Sequence, residues 1–531
     1  MKTFLNICLI SFFLLPTCIA QTTNNDHPPQ IQTDNGIIQG IDDSGILEFK
    51  GIPYAQPPTG NRRWKPPKPV KNWSGIRKTD QFAPRCMQKD IFGDLMYRSK
   101  KASEDCLYLN VWTPVKSGNL KNKHLPVLVY FYGGGFVAGD GSELRYDGKN
   151  MARHGIVTIT VNYRLGVFGF LALPSLTKES PNNASGDYGL LDQVQALRWV
   201  KKNVASFGGD PDKVTIGGQS AGSLSISALI TTPLSQNLFR GAIGESGSVL
   251  GTLSAVPLNK GEKTGEKFEQ MVGAQSLSEL RAISADSLLD ASLQQNVPRF
   301  PITVDGYYFP ESPFKIYAEG QQANVPLLVG WNSEEVPYQF LMGNKKPTPK
   351  NFSQVVHKLY GKHADSLLAL YPHATTKQAK KSATDLASTR FIKFSTWKWS
   401  YMQNKTADKP VYRYYYSHIR PPAGIDSLKS QFKPTGAVHA AEIPYVLGNL
   451  PRYINIYKWT YDDYNVSHIF ENYVVNFIKT GNPNGLGLPS WNSMNESQEP
   501  QSLYINVQTQ MKPLQHPKRY LFLDKISDQT N

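Results

Sequence analysis

The sequence predicts an α/β fold, a mostly parallel sheet flanked by helices, and three observations carry that prediction. Three short runs, Pro126 to Tyr132, Ile156 to Val161 and Val214 to Gly218, are β-rich and apolar almost throughout, as strands covered on both faces are. Helix-compatible stretches such as Leu191 to Val204 lie between them, giving the alternation that parallel crossovers need. The 531 residues are 40% hydrophobic and only 19% charged, which suits a large buried core and not a disordered chain.

The elements follow in chain order. Met1 and Lys2 precede an apolar stretch from Phe4 to Leu15, then Pro16 and a small-residue exit at Ala20; this is the layout of a signal peptide cleaved near Ala20. The stretch is interrupted by Asn6 and Ser11 and is too short to span a bilayer, so the expectation is a secreted or periplasmic protein. Past Gln21 no apolar run approaches the roughly 20 residues a membrane helix needs, so no integral membrane segment is expected. The Pro-rich stretch from Pro53 to Pro69 reads as a stiff surface segment, because apolar patterning continues on both sides of it. After the three strands, the pattern turns helical and amphipathic from Lys260 to Leu293 and again from Lys345 to Lys409. Such insertions suit a roof over an α/β sheet. With no internal repeat and no low-complexity segment, residues 21–531 are expected to form one catalytic domain with helical excursions.

Charge and cysteines narrow the function. The formal net charge is +15, but the basic residues are scattered, with no stripe of cations and interleaved aromatics, so no nucleic-acid partner is expected. Loss of the leader removes Cys8 and Cys18 and leaves Cys86 and Cys106 in an oxidising compartment. A disulfide between them closes a loop of about twenty residues and adds roughly 3 kcal/mol in the chain-entropy model; two buried free thiols are the alternative. Six N-x-S/T sites begin at Asn72, Asn183, Asn351, Asn404, Asn465 and Asn495, acceptors for glycans only in a source that makes them.

The chemistry gathers where the strand Val214 to Gly218 runs into Gly218-Gln219-Ser220-Ala221-Gly222, followed by a helix-compatible run from Ser223 to Ile230. A nucleophile at the tip of a sharp strand-to-helix turn needs small residues two before and two after it. With 42 glycines in the chain, the bare motif says little; its strand and helix context says more. A serine hydroxyl is a poor nucleophile at neutral pH, so it needs oxyanion donors, a base and a group to orient the base. Gly133-Gly134-Gly135 follows the strand ending at Tyr132 and exposes backbone N–H groups that no side chain screens. Gly134, Gly135 and Ala221, the last beside the positive end of a helix, are the candidate oxyanion donors.

At this point the chain resembles a known family, the type B carboxylesterases and cholinesterases. Phe207-Gly208-Gly209-Asp210-Pro211-Asp212-Lys213-Val214, continuing through Gly222, matches the family's signature around the serine. Glu104-Asp105-Cys106-Leu107-Tyr108-Leu109-Asn110-Val111-Trp112-Thr113-Pro114 matches a second one. Further matches from Gly51-Ile52-Pro53-Tyr54-Ala55 to Gly481-Asn482-Pro483-Asn484-Gly485 spread the resemblance over nearly all of the mature chain. It implies the α/β-hydrolase fold and a triad of Ser220, Glu335 and His439. Glu335 ends the turn Trp331-Asn332-Ser333-Glu334-Glu335, with Glu334 its rival by one residue; His439 lies in Gly436-Ala437-Val438-His439-Ala440-Ala441-Glu442. The order serine, acid, histidine is the order that this fold requires. The resemblance also pairs Cys86 with Cys106 beside the gorge mouth, and implies structural ion pairs of Arg63 with Glu104 and Arg164 with Asp192. The chain departs from the cholinesterase branch in two places. The loop between the cysteines has Phe92 and Tyr97 but no Trp to place over a quaternary ammonium, and Gln219 stands where many relatives have Glu.

The expectation is a secreted serine carboxylesterase acting on a small-molecule ester through an acyl-enzyme, with no metal or organic cofactor. The alternatives are a catalytically silent adhesion or binding module of the same fold, or a hydrolase of a related acyl bond such as an amide, lactone or thioester. Acyl and alcohol preference and oligomeric state are not written in these motifs.

Overall fold

A computed structural model of the protein describes residues 28–114, 123–251, 253–424, 434–496 and 500–527. The expected signal peptide, with Cys8, Cys18 and Ala20, lies outside them. Eleven strands form the main sheet: β1 (Ile41–Asp43), β2 (Ile46–Pro53), β3 (Tyr108–Thr113), β4 (Leu125–Phe131), β5 (Val157–Val161), β6 (Gly209–Gln219), β7 (Gly241–Glu245), β8 (Leu327–Asn332), β9 (Val411–Tyr416), β10 (Gln501–Ile505) and β11 (Gln510–Pro513). Their spatial order is β11-β10-β9-β8-β7-β6-β4-β5-β3-β2-β1. From β10 across to β5 all neighbours are parallel, and antiparallel strands finish both edges.

The apolar runs explain the centre of this sheet. Every residue of β5, β7 and β8 is buried, because helices cover both faces. On them lie α1 (Tyr188–Asn203), which begins three residues before the expected Leu191, and α2 (Ala221–Thr231), all of whose residues are buried. Strand β6 also starts earlier than its apolar run. Gly209 pairs with Leu125 ahead of an irregularity, and regular pairing with β4 resumes at Val214.

The two helical excursions behave differently. The first forms three helices, α3 (Leu258–Met271), α4 (Leu277–Ala282) and α5 (Ala285–Ser292), joined to the main core through Phe268, Leu280 and Leu288. The second forms α6 (Pro349–Tyr360), α7 (Thr376–Ser388), a π-helical turn at Thr389–Lys393 and α8 (Phe394–Thr406). Phe352, Val356, Leu367, Tyr371 and Leu386 build a smaller core of their own there, closed by Leu523 of the last helix, Pro517–Ser527. Only the π turn of this excursion, with Phe391 and Ile392, reaches the main cavity. Among the described residues no helix is long and apolar enough to cross a membrane.

Candidate active site

The C-terminal ends of the parallel strands lie level. Gly218 pairs with Phe131 and Gly244, Gln219 with Glu245, and Glu245 with Gly330, so the turns after β4, β6, β7 and β8 emerge side by side. This is where α/β sheets place their ligands. The loops after those strands, with the loop after β9, enclose a cavity of about 1430 Å³. Ser220, Gly134, Gly135, Ala221, Glu335 and His439 all line it.

Ser220 caps α2 with φ 57° and ψ −121°, a backbone conformation that non-glycine residues adopt only when their surroundings force it. The surroundings do. The Ser220 N–H is held by the Glu245 carbonyl at 2.8 Å, and the Ser220 carbonyl accepts from Leu224 at 2.9 Å. A Cβ on Gly222 would lie 2.0 Å from the Phe131 oxygen, and one on Gly218 would lie 2.7 Å from the Gly222 carbonyl carbon. Only glycine fits either side of the serine.

The oxyanion candidates are free to donate. Gly134 and Gly135 have φ of 107° and 64°, and their N–H groups and that of Ala221, at the first position of α2, carry no hydrogen bond among the described residues. The third glycine is spoken for, because the Gly133 N–H donates to the Tyr146 hydroxyl at 3.4 Å.

Glu335 Oε2 lies 2.7 Å from His439 Nδ1. Its other oxygen accepts from the Ser246 hydroxyl at 2.8 Å and from the Asn332 N–H at 2.7 Å, so the carboxylate is fully held. Glu334 points elsewhere: its Oε2 accepts from the Thr435 N–H and hydroxyl at 2.7 and 2.5 Å, pinning the loop that carries the histidine. The Ser220 hydroxyl is not hydrogen-bonded to His439 in this geometry. Instead the Gln219 amide nitrogen lies 3.4 Å from His439 Nε2 and 3.5 Å from Nδ1. The Phe391 ring meets the imidazole edge-on at 5.1 Å.

Burial alone would lower the His439 pKa, but the hydrogen bond and charge of Glu335 outweigh it, helped by Glu442 and Asp94, and the imidazole ends above its ordinary 6.5. Behind Glu335 and His439 sits a second acid pair. Glu442 receives a hydrogen bond from the Asn332 amide, and Glu245 receives one from the Tyr130 hydroxyl at 3.0 Å. Burial, then the neighbouring Glu335 charge, pushes Glu442 up to about 7; burial and the Glu442 charge raise Glu245 as well. One further oxygen of each is buried without a partner.

Comparison with known proteins follows the same pattern. A family model described as the carboxylesterase family matches residues 27–523. The chain is 33% identical over 513 residues to the para-nitrobenzyl esterase of Bacillus subtilis, covering 93% of this chain and 99% of that protein. It is 36% identical over 458 residues to the fumonisin B1 esterase of Sphingopyxis macrogoltabida, covering 83% and 79%. Among solved structures, a PNB esterase superposes with a TM-score of 0.78 at 31% identity, covering 93% of this chain and 99% of that one.

The chain belongs to the carboxylesterase family.

It is therefore a carboxylic ester hydrolase on an α/β-hydrolase fold. The features that the family resemblance implied around the cavity can be located. Cys86 and Cys106 form a disulfide with Cα atoms 4.9 Å apart. Arg63 makes two contacts of 2.6 Å with Glu104 and also donates to the Arg281 and Ile283 carbonyls, tying α4 to the body. Arg164 meets both oxygens of Asp192 at 2.8 and 2.7 Å, fully buried. Of the two aromatics in the cysteine loop, Phe92 lines this carboxylesterase's cavity. Tyr97 turns away, its hydroxyl donating to Gln88 at 2.8 Å and its ring under Arg85.

Sequence reasoning missed Ser246, Asn332, Glu442 and Glu245 as partners of the site. Glu442 stood in the quoted histidine loop and Asn332 in the acid turn, without a role. Ser246 directly follows β7, and its position at a strand end beside the strand that leads to Ser220 is the one signal that marked it.

Proposed function

We propose that this carboxylesterase is an exported serine esterase that works through an acyl-enzyme, with Ser220 as nucleophile, His439 as base and Glu335 as the group that orients it. The observation that carries the proposal is the 2.7 Å contact between His439 Nδ1 and Glu335 Oε2 in the cavity that Ser220 shares. A carboxylate on Nδ1 fixes the proton there and leaves Nε2 as the acceptor. Nε2 takes the Ser220 proton as Oγ bonds to the acyl carbon. The negative charge passes to the carbonyl oxygen, opposite the free N–H groups of Gly134, Gly135 and Ala221. The imidazolium then protonates the alcohol as its C–O bond breaks. Water, deprotonated by His439, repeats the sequence on the acyl-serine and releases the acid. No step calls for a metal or organic cofactor. Export rests on the leader sequence and agrees with the disulfide.

Ser220→Ala is expected to lower kcat on para-nitrophenyl esters by about 10⁴-fold or more and to abolish labelling by a fluorophosphonate, with the circular dichroism spectrum unchanged. Full activity in the folded variant overturns the assignment. Failure of the unaltered protein to label favours the silent binding module.

A further inference from the structure

The charged residues of the cavity do not balance. Arg145 is held by Glu143 at 2.7 Å and Asp94 at 3.3 Å, Glu335 is held by His439, and Arg420, also in the lining, lies over the Tyr457 ring at 5.1 Å. Arg299 also lines the cavity, yet it has no hydrogen bond, ion pair or ring contact among the described residues. Its guanidinium nitrogen comes within 3.4 Å of the point where a Cβ on Gly135 would lie, so the unpaired cation stands against the loop that offers the oxyanion donors. The segment that carries it is stiff. Pro298 and Pro301 flank it, and the next residue, Phe300, is buried and packs edge-on against Phe268 of α3 at 5.2 Å. Arg299 is exposed to solvent in the cavity, and burial of part of its guanidinium lowers its pKa with no acid to offset the shift. An unpaired guanidinium beside the Gly134-Gly135 loop is a site for a carboxylate, which it binds through paired N–H groups. The surplus of positive charge over the whole chain, +15, draws anions toward it.

We propose that Arg299 is a specificity residue that selects esters carrying a free carboxylate a few bonds from the scissile carbonyl. This rests on the assignment of the cavity as the esterase site. Arg299 takes no part in bond making; it holds the substrate's anionic group while the neutral ester carbonyl sits against Gly134 and Gly135.

The test compares matched pairs of esters. For the acyl side, mono-p-nitrophenyl glutarate is set against p-nitrophenyl pentanoate. For the alcohol side, p-butyryloxybenzoate is set against p-acetylphenyl butyrate. In at least one pair, Arg299→Gln is expected to lower the ratio of kcat/KM for the anionic over the neutral ester about tenfold to a hundredfold. Arg299→Lys should restore part of that ratio, and added salt should lower it in the unaltered enzyme. A ratio that Arg299→Gln leaves unchanged in both pairs overturns the inference. Hydrolysis of the neutral esters alone also overturns it and leaves the esterase assignment standing; hydrolysis of no ester overturns both.

Discussion

At the scale of single residues, the site is a set of proton positions ordered by burial. His439 is raised above 6.5 chiefly because Glu335 outweighs the cost of burial, with Glu442 adding to it. A base must be unprotonated to work, so kcat/KM is expected to rise with pH through an apparent pKa above that value. Removing the Glu442 charge removes one of the groups that favour the imidazolium. Glu442→Gln should therefore move the acid limb of the pH–rate profile to lower pH, while keeping the Asn332 contact through the amide oxygen. A limb that stays in place would show that Glu442 does not act on His439. Most of this was invisible in the chain. Ser220, Glu335 and His439 could be put forward as candidates because their neighbours are constrained by close backbone approach or by a long motif. The partners of Glu335 could not, since one is the backbone N–H of Asn332 and another is Ser246, just past the end of a different strand. Arg299 has no motif at all; only the shape of the cavity singles it out.

At the scale of elements, the turn from β6 into α2 depends on two absent side chains. Gly222→Ala would put a Cβ about 2.0 Å from the Phe131 oxygen, where main chain and not a flexible tip must move. The expected result is a protein that either fails to accumulate or loses most activity through a displaced Ser220, read by expression yield and fluorophosphonate labelling. The ion pair between Arg164 and Asp192 works on the same scale by holding the loop after β5 to α1. Asp192→Ala leaves a buried guanidinium without its counter-charge and should cost about 3–5 kcal/mol, seen as a lower thermal midpoint with the activity of the folded fraction kept. The central strands could be read from their apolar runs, because burial on both faces leaves little choice of residue. The early start of β6 could not, since Gly209-Asp210-Pro211-Asp212 has the composition of a turn and only Gly209 of it pairs with β4.

At the scale of the whole molecule, stability and activity are expected to favour different pH. Glu143 and Glu442 are each pushed up to about 7, first by burial. A carboxyl whose folded pKa is raised holds its proton in the fold after the unfolded chain has lost it, so stability falls as pH rises from about 4.5 to 7. The raised His439 acts in the same direction as pH passes 6.5. Below that range Asp43, Asp147 and Asp463, all lowered in the fold, withdraw their contribution as they protonate. Thermal midpoints measured across pH should peak on the mildly acidic side, below the pH of greatest kcat/KM; coincident maxima would count against these proton positions. Replacing both Cys86 and Cys106 by Ser should cost roughly 3 kcal/mol, checked by the denaturation midpoint. The broad architecture was legible because the sheet is built from local patterns. The division of labour between the two excursions was not, since an amphipathic helix shows which face it buries and not what it is buried against.

The π-helical turn at Thr389–Lys393 amounts to one residue more than a continuous α-helix would hold. The surplus residue bends the ladder outward so that Phe391 can touch the His439 imidazole while α8 still lays Trp399 into the main core. Deleting a single residue there would make a more regular helix and a worse enzyme. Each residue advances a helix by about 100°, so Phe391 and Trp399 could no longer face their partners together. A lineage that lost this residue would have to rebuild either the wall beside His439 or the packing of α8, which makes the length of the turn as much a part of the site as any side chain in it.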